Sequence, residues 1–157
     1  VASESYVIEL LKQDPTLIVT QQACPMWVPL IESGEHLSDG ANYFVEKYLT
    51  ELLTRDPLID TIILGCTHYP LLQPKIEAFL SSIAHSQSPV TNHHISVVSQ
   101  GSIVADSFAD YLHRHPEFSQ DSKGGTCKYL TTESAAKFSE SASIFLSEPI
   151  TAHHIEL

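Results

Sequence analysis

The run Ile59-Asp60-Thr61-Ile62-Ile63-Leu64 constrains this chain most, because it is broken at Gly65 and gives way, after Pro70, to the helical pattern Lys75-Ile76-Glu77-Ala78-Phe79-Leu80. β-Branched apolar residues over such a length predict a buried strand, and Pro70 marks the approach to a helix. Strand, loop and helix in that order is the repeating step of an α/β sheet, in which ligands collect at the loops beyond the strands. Two chemically capable side chains, Cys66 and His68, stand on this loop two residues apart. A thiolate is a base and a nucleophile, and the amides and dipole of a following helix favour that anion. An imidazole beside it supplies positive charge or passes a proton on. An isolated Cys-x-His is equally a small buried thiol next to a satisfied histidine. The pair alone leaves both readings open.

The remainder alternates in the same way. Apolar residues at Tyr6, Val7, Leu10 and Leu11 predict a helix from Ser5 to Gln13, stopped by Asp14-Pro15, with a short strand over Thr16 to Thr20. Ala41 to Thr54 carries Tyr43, Phe44, Val45, Tyr48, Leu49, Leu52 and Leu53 on a helical stripe closed by Asp56-Pro57. Further on come a strand over Ile95 to Ser99 and a helix over Gly101 to His113 with Ile103, Val104, Phe108 and Leu112 facing inward. The polar stretch His115 to Gly125 reads as a loop, followed by a strand over Lys128 to Thr131, a helix over Ala135 to Leu146 and a strand over His154 to Leu157. The pattern predicts an α/β fold with a mostly parallel sheet flanked by helices. Met26, Trp27, Pro29, Leu30 and Ile31 read as packing residues rather than a ligand platform.

Composition limits the partners. At 157 residues the chain can bury one core, or one plus an appended piece. A formal charge of -11 with only 8 Lys and Arg argues against nucleic acid and against anionic membranes, both of which reward basic residues. An acidic substrate stays compatible, since a local field at a helix N-terminus outweighs net charge. No apolar run reaches the roughly 20 residues that span a bilayer, and the first residues lack a signal-peptide pattern.

Three widely spread cysteines, Cys24, Cys66 and Cys127, make a poor disulfide framework and suit reduced thiols of a cytoplasmic protein. No metal site is expected: Cys66-Thr67-His68 lacks a second ligand pair, and the neighbours in His93-His94 and His153-His154 point to opposite faces of β-like segments. Cys24 reads as structural, Cys127 as incidental, and Glu32 on its own as a surface carboxylate before the Ser33-Gly34 turn.

The decapeptide Ile63-Leu64-Gly65-Cys66-Thr67-His68-Tyr69-Pro70-Leu71-Leu72 closely resembles the second active-site motif of glutamate racemases. Other segments resemble the same family in its order. Val1-Ala2-Ser3-Glu4-Ser5-Tyr6 is similar to the end of its Gly-Thr-Val-x-Ser-x-x-Tyr segment, and Cys24-Pro25-Met26-Trp27-Val28-Pro29-Leu30-Ile31-Glu32 to its Cys-Pro-x-x-Val-Pro-x-x-Glu segment. Lys128-Tyr129-Leu130-Thr131-Thr132 resembles its C-terminal strand. The Asp-Ser pair near the start of the family's first half, its Pro-Tyr-Gly loop and its Cys-Asn-Thr motif have no counterpart here, so the resemblance is to the C-terminal portion. After the strand ending at Val98, Ser99-Gln100-Gly101 stands where many members have Asp-Ser-Gly.

The resemblance implies a cofactor-independent enzyme that interconverts L- and D-glutamate for peptidoglycan, using two cysteines on opposite faces of the substrate. It assigns Cys66 to the thiol that deprotonates L-glutamate, His68 to the histidine assisting it, Thr67 and His68 to substrate contact, and Glu32 to the acidic residue that orients the histidine. It places residues 1–99 in a second α/β domain lacking its first strand, and 100–157 in a segment returning to the first domain. The partner so implied is the missing N-terminal half with the other cysteine. The fragment alone is expected to be inactive and to self-associate through apolar positions of its tail. His68 favours glutamate over aspartate, because aspartate racemases commonly carry Glu there. The rival readings are a non-catalytic folding or association module, an aspartate racemase-type enzyme, and a cysteine hydrolase with Cys66 as nucleophile.

Overall fold

The computed structural model describes residues 3–85, 93–118 and 126–157. The chain divides into two compact units, Val1–Gly101 and Ser102–Leu157.

The first unit begins with helix α1, Ser5–Gln13, which ends where Asp14 turns extended. Asp14 accepts from both the backbone and the hydroxyl of Thr16, and these bonds hold its carboxyl below the usual range. Residues 16–20, expected as a strand, form no ladder: Ile18 is 88% exposed, and Thr20 spends its hydroxyl on Asp56 Oδ2 at 2.9 Å. A β-rich run without a partner strand stays irregular. Helix α2, Trp27–Glu32, buries Trp27 and Ile31 and turns Met26 and Pro29 outward.

Helix α3, Asp39–Arg55, is the long element of this unit. Ser38 caps it by accepting from Ala41 N at 3.2 Å, and it stops at Asp56, before Pro57. Ala41, Val45, Tyr48, Leu49, Leu52 and Leu53 are buried, whereas Tyr43 of the expected stripe is 60% exposed. Strand β1, Thr61–Ile63, pairs in parallel with β2, Ser96–Val98, in the register Thr61 to Ser96 and Ile63 to Val98. β1 is one-sided rather than wholly buried: Ile62 and Leu64 face the core while Ile63 is 40% exposed. Helix α4, Gln73–His85, contributes Ile76 and Leu80. The core gathers Trp27, Ile31, Val45, Leu49, Leu53, Leu64, Leu72, Ile76 and Leu80. Lys75 of α4 ties the start of α3 down, donating to Leu37 O at 3.2 Å, Ser38 O at 3.4 Å and Asn42 Oδ1 at 2.5 Å.

Helix α5, Gln100–Arg114, starts in the first unit and runs into the second. Its expected inward face is largely uncovered among the described residues, with only Leu112 half-buried. Ile103, Val104 and Phe108 are 55%, 62% and 58% exposed, because periodicity defines a face without supplying what covers it. A short 3-10 turn, Pro116–Phe118, follows; the rest of the polar loop, 119–125, lies outside the described residues.

In the second unit β3, Tyr129–Thr131, pairs in parallel with β4, Ala152–His154, which lies two residues earlier than expected. Helix α6, Ala135–Leu146, connects them. Two of its serines stitch the returning chain to it: Ser143 Oγ accepts from Ile150 N at 3.1 Å and Ser139 Oγ from Ala152 N at 2.9 Å. Those bonds fix the register of β4. Both strand pairs are parallel and both are joined through helices, so the α/β class holds, as two separate two-stranded pairs.

Candidate active site

Leu64, buried at the end of β1, donates its N–H to Val98 O at 3.0 Å, which anchors the loop that follows. The loop closes on itself: Tyr69 N donates to Cys66 O at 3.2 Å and Leu71 N to His68 O at 3.1 Å. Tyr69–Leu72 is a 3-10 turn, so α4 begins only at Gln73. The N-terminus of the following helix, expected to favour a Cys66 thiolate, therefore lies beyond this turn, at Gln73. Pro70 falls at the start of this turn, where it has no N–H to give.

What lies beside the thiol is an imidazole. Cys66 Sγ is 3.8 Å from His68 Nδ1, and His68 Nε2 is 2.5 Å from Glu32 Oε1. A carboxylate on Nε2 selects the tautomer with the proton there, which leaves the Nδ1 lone pair facing the thiol. Thiol, imidazole and carboxylate thus form a line along which a proton can move. Thr67 Oγ1 lies 3.5 Å from the same Nδ1 and is exposed, so its hydroxyl is open to a ligand. Three of the expected residues are brought into one row, and the fourth flanks it.

Helix α2 explains how Glu32 arrives there. Trp27, at the start of α2, packs edge-on against Tyr69 with ring centroids 4.7 Å apart and donates its indole N–H to Phe44 O at 3.3 Å. Ile31 is fully buried one residue before Glu32. The same short helix therefore grips the loop at one end and presents its carboxylate to His68 at the other. Tyr69 is held in this packing, and burial, reinforced by Cys24, Cys66 and Tyr48, pushes its phenol up to about 12. Cys24 is a buried thiol, pushed up to about 12 chiefly by burial and then by the Glu51 carboxylate. It is unsuited to thiolate chemistry. Cys127 is exposed, and all three cysteines are free.

One histidine of each pair bonds the backbone. His93 Nε2 donates to Ile59 O at 2.7 Å and His154 Nδ1 to Glu133 O at 3.0 Å. Among the described residues no group of three or more His, Cys, Asp or Glu is placed to hold a metal ion. Cavities of about 510 Å³ and 430 Å³ lie on α3 and between α3 and α4, and neither is lined by Cys66, Thr67, His68 or Glu32. The sequence reading missed the contact of Tyr6 and Gln100 at the strand ends, where Gln100 Nε2 donates to Tyr6 Oη at 2.6 Å. The available signal was positional: Gln100 opens the helix after a strand parallel to the one that carries Cys66.

No protein-family model matches the chain. It is similar over its whole length to the glutamate racemase of Lactiplantibacillus plantarum, with 34% identity covering 100% of this chain and 54% of that protein. The crystal structure of a glutamate racemase isoform from Bacillus anthracis superposes on 99% of this chain and 53% of its own, with a TM-score of 0.78 and 27% identity. The structure of glutamate racemase from Francisella tularensis in complex with D-glutamate gives a TM-score of 0.80 at 19% identity, a likeness of fold. The chain spans about half the length of the relatives it matches. Fold and relatives define its class as the amino-acid racemases, isomerases built on α/β units. Within that class the chain belongs to the glutamate racemase family, as the counterpart of its C-terminal portion.

Proposed function

We propose that this chain supplies one face of a glutamate racemase site, with Cys66 as the base that removes the α-proton of L-glutamate and returns it in the reverse direction. The observation that carries the reading is the line Cys66 Sγ, His68 Nδ1, Nε2, Glu32 Oε1. His68 takes the thiol proton, Glu32 stabilises the imidazolium so formed, and the thiolate then attacks Cα–H. Thr67 offers a hydroxyl to the substrate carboxylate. The second proton donor, on the opposite face, comes from the half of the relatives that this chain does not span. Three free thiols suit a reducing, cytoplasmic setting, and the family's product is used in peptidoglycan.

Inversion needs both donors. Holding reactants in place is itself worth roughly 7 to 11 kcal/mol, so the chain alone is expected to leave the chirality of glutamate unchanged. The test is to follow the α-proton of L-glutamate by NMR in deuterated buffer, together with chirality, for the chain alone and for the chain fused to the remaining half of a full-length relative. Racemisation is expected only in the fusion and is abolished by Cys66→Ala. Racemisation that survives Cys66→Ala overturns the proposal.

A further inference from the structure

Tyr6 leans on the one residue between strand β1 and the candidate thiol that has no side chain. A Cβ at Gly65 would lie 3.4 Å from Tyr6 Cε2 and 3.5 Å from Cζ, so the ring flanks the side of Gly65 where a side chain would stand, immediately before Cys66, although Gly65 stays exposed. The ring is held from the other side: Gln100 Nε2, on the first residue of α5, donates to Tyr6 Oη at 2.6 Å. β1 and β2 are parallel neighbours, with Leu64 N bonded to Val98 O, so Gly65 and Gln100 both lie beyond the C-terminal ends of their strands. One phenol bridges the two strand ends. Tyr6 is nevertheless 44% exposed, and α1 buries no residue, so the contact does little for the core.

We infer that Tyr6, braced by Gln100, is a positioning residue for the Cys66 loop: its ring, standing beside Gly65, limits how far the loop can swing and keeps the Cys66 thiol in register with His68. The ring supplies the contact and the amide bond keeps the ring in place. Loss of either lets the loop open more often and exposes the thiol. The importance of that register for catalysis rests on the racemase reading, but the brace itself is read without glutamate.

The test is site-resolved alkylation of the intact chain with iodoacetamide at neutral pH, following each cysteine by peptide mass spectrometry. Exposed Cys127 is the internal standard, and buried Cys24 reports on the core. Tyr6→Ala is expected to raise the Cys66 rate relative to Cys127 about threefold or more, with Cys24 still unreactive. Tyr6→Phe keeps the ring and is expected to restore most of the wild-type rate; Gln100→Ala is expected to give a smaller rise. An unchanged Cys66 to Cys127 ratio in both Tyr6→Ala and Gln100→Ala overturns the inference. So does a rise at Cys66 matched by new reactivity at Cys24, which signals general loosening. Failure of the racemase reading, seen as racemisation without Cys66, leaves this ratio untouched.

Discussion

A thiol as enclosed as Cys24 and a phenol as enclosed as Tyr69 make the stability of this chain sensitive to alkali. Their folded values of about 12 stand above the ordinary 9.0 and 10.0, so in that window the folded state holds protons that the unfolded state has released. Stability therefore falls as pH rises from about 9 to about 12, and is unaffected by these groups below it. Urea midpoints measured across that range should decline, and Cys24→Ala should flatten the first part of the decline. A different residue offers a gain. Ser147 ends α6 at φ 56, the left-handed region that costs a side-chain-bearing residue more than glycine. Ser147→Gly should stabilise the second unit by about 0.5 kcal/mol, measured as a shift in its denaturant midpoint. Of the site residues, Cys66 and His68 were legible from their spacing on a strand-to-helix loop. Glu32 became meaningful only through a likeness of motif, since nothing in its own neighbourhood tells that Trp27 and Ile31 fix the helix that points it at His68. Tyr6 and Gln100 were illegible as a pair, being far apart in sequence and joined only by the closing of β1 on β2.

At the scale of elements, punctuation decided what could be read. α1 runs as expected because Asp14-Pro15 marks its end sharply, and α6 keeps its expected bounds, with Ser134 Oγ accepting from Lys137 N at 3.4 Å at its start. The 3-10 turn at Tyr69–Leu72 was hidden, because Pro70 signals that a helix is near without saying which kind. Thr16 to Thr20 has strand composition but no partner, and strand formation is a property of pairs. α3 supplies more of the first unit's buried side chains than any other element. Leu53→Ala, at a position with no exposure, should cost about 2 to 5 kcal/mol, seen in the urea midpoint of the first unit. Removing the cap with Ser38→Ala should cost about 1 kcal/mol, less than the cavity, because Lys75 still holds Leu37 O.

For the whole molecule, the contrast between the units governs behaviour in solution. Of the described residues in the second unit only Thr131 and Ala152 are buried, and neither α5 nor α6 buries any side chain. Apolar surface of that kind seeks cover. The chain is expected to self-associate, with light scattering giving a mass above 17.4 kDa that falls when Val104 and Phe108 are both replaced by Ser. A monodisperse monomer in the parent chain would refute this. Periodicity gives no sign of the division at Gly101, because α5 runs through it without a break in its helical pattern.

The chain's single tryptophan sits edge-on to Tyr69 in the first unit, on the helix that ends at Glu32. Emission excited selectively at the indole, rather than at the tyrosines of both units, is thus a built-in optical probe of the unit that carries Trp27. Indole-excited fluorescence should report events around the Cys66 loop without any attached dye, while circular dichroism sums both units. A denaturation curve that differs between the two signals would then measure how far the halves of this chain melt on their own.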